Sequence, residues 1–158
     1  MVNPGASLLV SWKRLQHLPG GAWLFSRLVN RLVPYTGSVS PRVRVLEPGH
    51  AIVTLRDHRA VRNHLRSIHA VALINLGEFA SGLAMLTALP EGQRGIVTSL
   101  AADYTKKARG ALVAEARVPP GAAITEPVDR DAEAEIRDAS GDVVAIVRAR
   151  WRISPARS

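Results

Sequence analysis

An α+β domain, with an antiparallel sheet curled around one long helix, is the architecture this sequence predicts. Two observations carry that expectation. Residues 64–89, HLRSIHAVALINLGEFASGLAMLTAL, read as one helix that is apolar on nearly every side, and a helix hydrophobic all round is normally buried within a fold. The segments flanking it alternate apolar and polar residues with a period of two, the pattern of strands that bury one face. A sheet apolar on one face and a helix apolar all round satisfy each other's need for burial. A chain of 158 residues suits a single core of this kind.

The elements follow in order. Residues 7–18 and 22–33 have helical spacing: Leu8, Trp12 and Leu15 share a face, with Lys13 and Arg14 off it. Pro19-Gly20-Gly21 separates the two helices, and Pro34 ends the second. From Val39 the period becomes two. Val43 and Val45 alternate with Arg42 and Arg44, Glu47-Pro48-Gly49-His50 forms a turn, and residues 51–56 form a second strand. Residues 57–67 are a polar approach to the long helix, with Ser67 expected as its N-cap. After a turn at residues 91–95 come strands over 96–104, 111–118 and 132–138, then a hairpin at Ser140-Gly141-Asp142. In the last strand Ala145, Val147, Ala149, Trp151 and Ile153 face one way, while Arg148, Arg150 and Arg152 face the other. That arginine stripe reads as a solvated outer sheet face. The short turns favour antiparallel pairing. Residues 1–34 thus form a helical extension and residues 35–158 the main domain.

Charge and composition exclude several functions. The formal net charge is +8 and the pI near 11.2, which favours anionic partners, but the basic residues are dispersed and no RNA or DNA motif is present. No nucleic-acid partner is expected. The absence of cysteine excludes disulfides, thiolate nucleophiles and cysteine zinc sites, and agrees with a cytoplasmic location. The first residues lack the basic start and sustained apolar core of a signal peptide. The long helix could span a bilayer of about 30 Å, yet it contains Asn75 and Glu78 and is flanked by strand-like sequence, so no membrane contact is expected. His64 and His69 lack a third partner, and HExxH is missing, so no metal site is expected. A Ser-His-Asp triad has no GxSxG elbow to sit on.

Glu78 stands out. It is the single acidic residue between His69 and Leu89, a stretch without a basic one. A carboxylate in such surroundings costs free energy unless it is paired, hydrogen-bonded or protonated. Glu78 therefore either carries function or pairs with a cation across an interface.

The pattern Asn63-His64-x-x-Ser67-Ile68-His69-Ala70, followed by Glu78 and Gly82, resembles the hotdog-fold acyl-CoA thioesterases, of which the phenylacetate-pathway type is the nearest characterised relative. A hotdog family of unassigned function, with N-terminal helices and a Tyr-x-Lys-x-Ala-x-Gly segment, is closer still, and here that segment runs from Tyr104 through Lys106 and Ala108 to Gly110. The resemblance spans roughly residues 35–153. It implies that Glu78 is the general base or nucleophile, that the Ala70 N–H polarises the thioester carbonyl, that Asn63 positions water or carbonyl, and that His69 is the histidine preceding the helix. Lys106, Lys107 and Arg109 are candidates for the phosphates of coenzyme A, and Leu76 and Phe79, with Leu73 and Leu83, for the acyl pocket. There are two departures. Ala70 and Val71 stand where those enzymes usually have glycines, and Arg66 stands where the loop often has one. A β-branched Val71 is expected to crowd the ligand.

Ala70 and Glu78 are eight residues apart, a rise of roughly 12 Å on one helix. Reacting atoms must approach to about 3–3.5 Å, so if both groups act on one thioester they come from different subunits. The reading is a homodimer, or a homotetramer built from it, that hydrolyses an acyl-CoA or acyl-carrier thioester. No cofactor is expected beyond the coenzyme A of the substrate. The alternative is an acyl-CoA or lipid-binding protein of the same fold without turnover. A hotdog dehydratase would need a His with an acidic partner in its own motif, which is not found.

Overall fold

The computed structural model describes residues 4–156. Six strands, β1 (Arg42–Glu47), β2 (His50–Leu55), β3 (Gln93–Tyr104), β4 (Leu112–Arg117), β5 (Val128–Arg137) and β6 (Val143–Pro155), form one sheet in the order β1-β2-β4-β5-β6-β3. Every neighbouring pair is antiparallel. The sheet curls around the long helix, here α4 (Ala70–Ala88), which touches all six strands. This is the hotdog architecture that the residues led us to expect. Leu76 and Met85 of α4 are fully buried, as are Val53, Leu112, Ile136 and Val147 of the sheet. Helix and sheet approach so closely at Gly77 that a Cβ there would lie 2.4 Å from the Val147 side chain, a position only glycine can fill.

Three helices precede the sheet: α1 (Pro4–Leu15), α2 (Gly21–Leu32) and the single turn α3 (Pro34–Gly37). α1 and α3 pack on α4, and α2 packs on β1. Gly5 lets α1 close on the end of α4, since its Cβ would fall 2.0 Å from the Leu86 carbonyl oxygen. Trp12 and Phe25 join α1 to α2 edge-to-face at 5.1 Å. The Ser26 hydroxyl accepts from the Val43 N–H at 2.9 Å and donates to the Ala22 carbonyl at 2.7 Å, which ties α2 to β1.

The structure differs from the sequence reading in four places. α4 begins at Ala70, not at His64, because residues 63–69 are held in a loop of their own, described below. In β1 a bulge between Val43 and Val45 breaks the alternation, so Leu46 rather than Val45 takes the buried position. α1 ends at Leu15, ahead of Pro19. β5 begins at Val128 rather than Ala132, and those extra residues change the meaning of the arginine stripe. Arg148, Arg150 and Arg152 stand directly opposite Glu133, Asp131 and Asp129. They pair with them at 2.9, 2.9 and 2.6 Å, and Arg148 also meets Asp103 of β3. The outer face is a neutralised cross-strand ladder. By length and composition α4 could cross a membrane, but 72% of its most hydropathic window is buried in the fold, the condition of a core helix.

Candidate active site

Of the depressions that meet α4, two hold Ala70 and Glu78, one at the helix start and one at its middle. At the start, His69 is the N-cap, with φ −65° and ψ 140°, and its Nδ1 accepts from the Val71 N–H at 3.1 Å. That bond places the proton of the neutral ring on Nε2. The His69 carbonyl accepts from the N–H groups of Ala72 and Leu73. The Ala70 N–H is exposed and has no partner among the described residues. It is one of the free donors at the positive end of a long helix.

Ser67 does not cap the helix. Its N–H and hydroxyl both bond the Asn63 side-chain oxygen at 3.2 Å, and the Leu65 N–H bonds the same oxygen at 2.9 Å. Asn63 therefore organises the loop through Oδ1, while its Nδ2 carries no partner among the described residues. The loop passes through Arg66 at φ 55°, the left-handed region where glycine is at no disadvantage. Asn63, Ala70 and Leu73 line a depression of about 360 Å³ together with Lys107 and Tyr104, and the Tyr104 hydroxyl donates to the Ala70 carbonyl at 3.2 Å. Val71 does not line it. Its side chain is 48% exposed beside His69 instead, so the expected crowding falls outside this depression.

The three basic candidates separate. Lys106 Nζ bonds Asp138 at 2.7 Å and Asp142 at 2.6 Å, and these carboxylates hold its amine above the ordinary lysine value. It fastens the β5–β6 hairpin and also lines the depression, with its ammonium already held by the two carboxylates. Lys107 and Arg109 are exposed and make no ion pair among the described residues. Lys107, like Lys106, lines the depression, and Arg109 does not.

The second depression is a cleft of about 420 Å³ between α4 and the N-terminal helices. Glu78 lies in it, half-buried, with no hydrogen bond or ion pair to its carboxylate among the described residues. Burial pushes its carboxyl above the ordinary value, and no neighbouring cation counters the shift. Phe79, Leu83 and Trp151 line the cleft beside it. A Cβ at Gly82 would lie 3.3 Å from the Trp151 ring and 3.7 Å from Glu78 Oε1, so this glycine keeps the floor open. Leu76 is 0% exposed and lines neither depression; it faces the sheet. The sequence reading missed that α1 and α2 supply a wall of the cleft through Leu8, Ser11 and Val29. It also missed that the Trp151 Nε1 is buried without a partner. Among the described residues no group of three His, Asp or Glu side chains is placed to hold a metal.

Residues 21–153 match the family model of a domain of unknown function, DUF4442. The chain belongs to that family. Among solved structures, the DUF4442 chain is similar to the structural-genomics protein APC5556, with 27% identity and a TM-score of 0.79 over 94% of this chain and 98% of that one. It is also similar to PA5026 of Pseudomonas aeruginosa, a protein of unknown function described as a probable thioesterase, with 24% identity, a TM-score of 0.73, and 87% and 97% of the two chains covered. The PaaI protein of the E. coli phenylacetic acid degradation operon follows at 18% identity and a TM-score of 0.64, covering 84% and 97%. No curated protein matches the chain in sequence.

Proposed function

We propose that this protein is an acyl-CoA thioesterase whose site is completed across a homodimer. One observation carries the reading. A carboxylate without a partner sits in an apolar cleft at mid-helix, and an unbonded backbone amide is exposed at the start of the same helix. The two are roughly 12 Å apart along one chain. A two-fold dimer with antiparallel central helices brings Ala70 of one protomer toward Glu78 of the other. Support for a dimer comes from β3, which bonds a strand on one side only and exposes Ile96 and Leu100, an uncovered apolar edge. The fold shared with proteins described as thioesterases agrees with the reading.

In this mechanism the Ala70 N–H and the positive helix end stabilise the oxyanion that forms on the thioester carbonyl. Glu78 takes a proton from water, and the hydroxide adds to the carbonyl carbon. The C–S bond then breaks, the thiolate recovers a proton from Glu78, and the products are a carboxylic acid and free coenzyme A. Asn63 Nδ2 is a side-chain donor lining the same depression as Ala70, and Lys107, which lines it too, is a candidate for a phosphate of the leaving group. Direct attack by Glu78 would give an acyl anhydride that water then resolves.

The test is release of free thiol from a panel of acyl-CoAs. Glu78→Gln lowers kcat by on the order of 10²–10⁴-fold, as loss of a general base does. Equal rates in the two proteins would remove Glu78 from the reaction. The second reading, binding without turnover, is favoured by the engagement of Asn63 Oδ1 in its loop. It predicts tight acyl-CoA binding and no thiol release by the wild type.

A further inference from the structure

We infer that the N-terminal helical pair forms the acyl-chain site, holding an aliphatic chain against α4 with its thioester end at Glu78. The identity of the ligand's head group rests on the thioesterase reading. The site for its tail rests on the cleft itself.

The cleft holds about 420 Å³, within the roughly 300–1,000 Å³ of small-ligand sites. Its walls are apolar: Leu8 on α1, Val29 on α2, and Phe79, Leu83 and Leu86 on α4. Polarity is concentrated at one end. There the Glu78 carboxylate lies beside the Trp151 indole, and this side chain is 5% exposed with its Nε1–H unpartnered. Nε1 belongs to the same indole edge as Cζ2, which Gly82 meets. A buried donor and a buried acid at one end of an apolar slot fit a ligand with one carbonyl and a long hydrocarbon tail. From Glu78 the slot follows Gly82 and Leu83 to Leu86, a rise of about 12 Å, which is room for a chain of medium length. Toward α1 the slot is bounded by Ser7 and Ser11. These side chains are small and leave it unfilled. The helices before the sheet are therefore a chain-length gauge.

Binding is measured by calorimetry with two thioethers that resist hydrolysis, S-dodecyl-CoA and S-ethyl-CoA, on the full-length protein. The variants are Ser11→Phe and, independently, Ser7→Phe. Both positions are solvent-facing on α1, and an unchanged melting temperature certifies the fold. The expected result is that each variant loses affinity for S-dodecyl-CoA, by about fourfold for every methylene denied burial, and keeps its affinity for S-ethyl-CoA. Undiminished dodecyl binding in both variants overturns the inference even if the protein hydrolyses thioesters. Selective loss of dodecyl binding in a protein that hydrolyses no acyl-CoA sustains the chain site and refutes the thioesterase reading.

Discussion

The depression at the start of α4 and the cleft at its middle differ in the polar groups they offer: donors and cations in the first, a lone acid in the second. The first sets hydrogen-bond donors among apolar side chains such as Leu65 and Leu73: the Asn63 amide, the Ala70 amide and the Lys106 and Lys107 ammonium groups. The second is apolar, with Glu78 as its only ionisable lining group among the described residues. A backbone amide at a helix start keeps its donor free without a buried charge, because the first turn leaves it unbonded. A carboxylate that must accept a proton near neutral pH gains instead from burial, because desolvation raises its pKa. The two environments cannot share one place on a helix, and a single chain holds them apart. What separates the halves in one protomer is the reason a second protomer is needed.

Substitutions that act on one half at a time probe this division. The largest effect falls on the cleft. Glu78→Gln abolishes most turnover yet raises the melting temperature at neutral pH. The folded-state pKa of Glu78 lies above its unfolded value, so the folded protein favours the protonated acid. Stability from this group is complete below the unfolded value of about 4.3 and is lost as pH rises through the folded pKa. The variant's advantage should therefore vanish in melting curves taken near pH 4. For the same reason, kcat/KM of the wild type climbs with pH along an acid limb whose midpoint lies above that of an ordinary glutamate.

Ala70→Pro comes next and breaks the other half. Proline is tolerated at the first helical position, and His69 already has the extended conformation that precedes proline. The substitution deletes the Ala70 N–H and leaves the Val71 cap in place. Loss of one oxyanion donor lowers kcat by about 10²–10³-fold, with little change in melting temperature. Smaller still is the contrast between the lysines. Lys107→Ala raises KM severalfold, whereas Lys106→Ala, whose ammonium is already held by Asp138 and Asp142, changes KM less and leaves the melting temperature nearly unchanged. Arg66→Gly is the gentlest change. It relieves a left-handed arginine and raises the melting temperature by about 2–4 °C if the gain is ~1 kcal/mol, without altering turnover.

Much of this division was legible in the sequence, and the parts that were not share one cause. Glu78 could be singled out because it interrupts an otherwise uncharged apolar stretch, and the inward row from Ala145 to Ile153 because a strand repeats every second residue. Contacts between distant segments left no such local trace. Lys106 looks like a free cation until the β5–β6 hairpin returns Asp138 and Asp142 to it. The arginine stripe looks unpaired until Asp129, Asp131 and Glu133 are placed opposite it, although their own alternation marks β5 as starting earlier. The segment from Leu65 to Ala70 runs straight into helix in the sequence, yet Asn63 accepts three bonds from it and forces a loop. Ser7 and Ser11 drew no notice in the sequence, because a cleft wall of small side chains has no pattern of its own.

The central claim, that amide and acid act together only across two chains, is tested by mixing two dead enzymes. Glu78→Gln and Ala70→Pro proteins are unfolded together, refolded at equal concentration and assayed for thiol release. Half of the dimers then carry one of each chain, and one of their two sites holds both an intact Ala70 amide and an intact Glu78. The account predicts recovery to about a quarter of wild-type activity. A mixture no more active than its separate components, with chain exchange verified by mass, would contradict it.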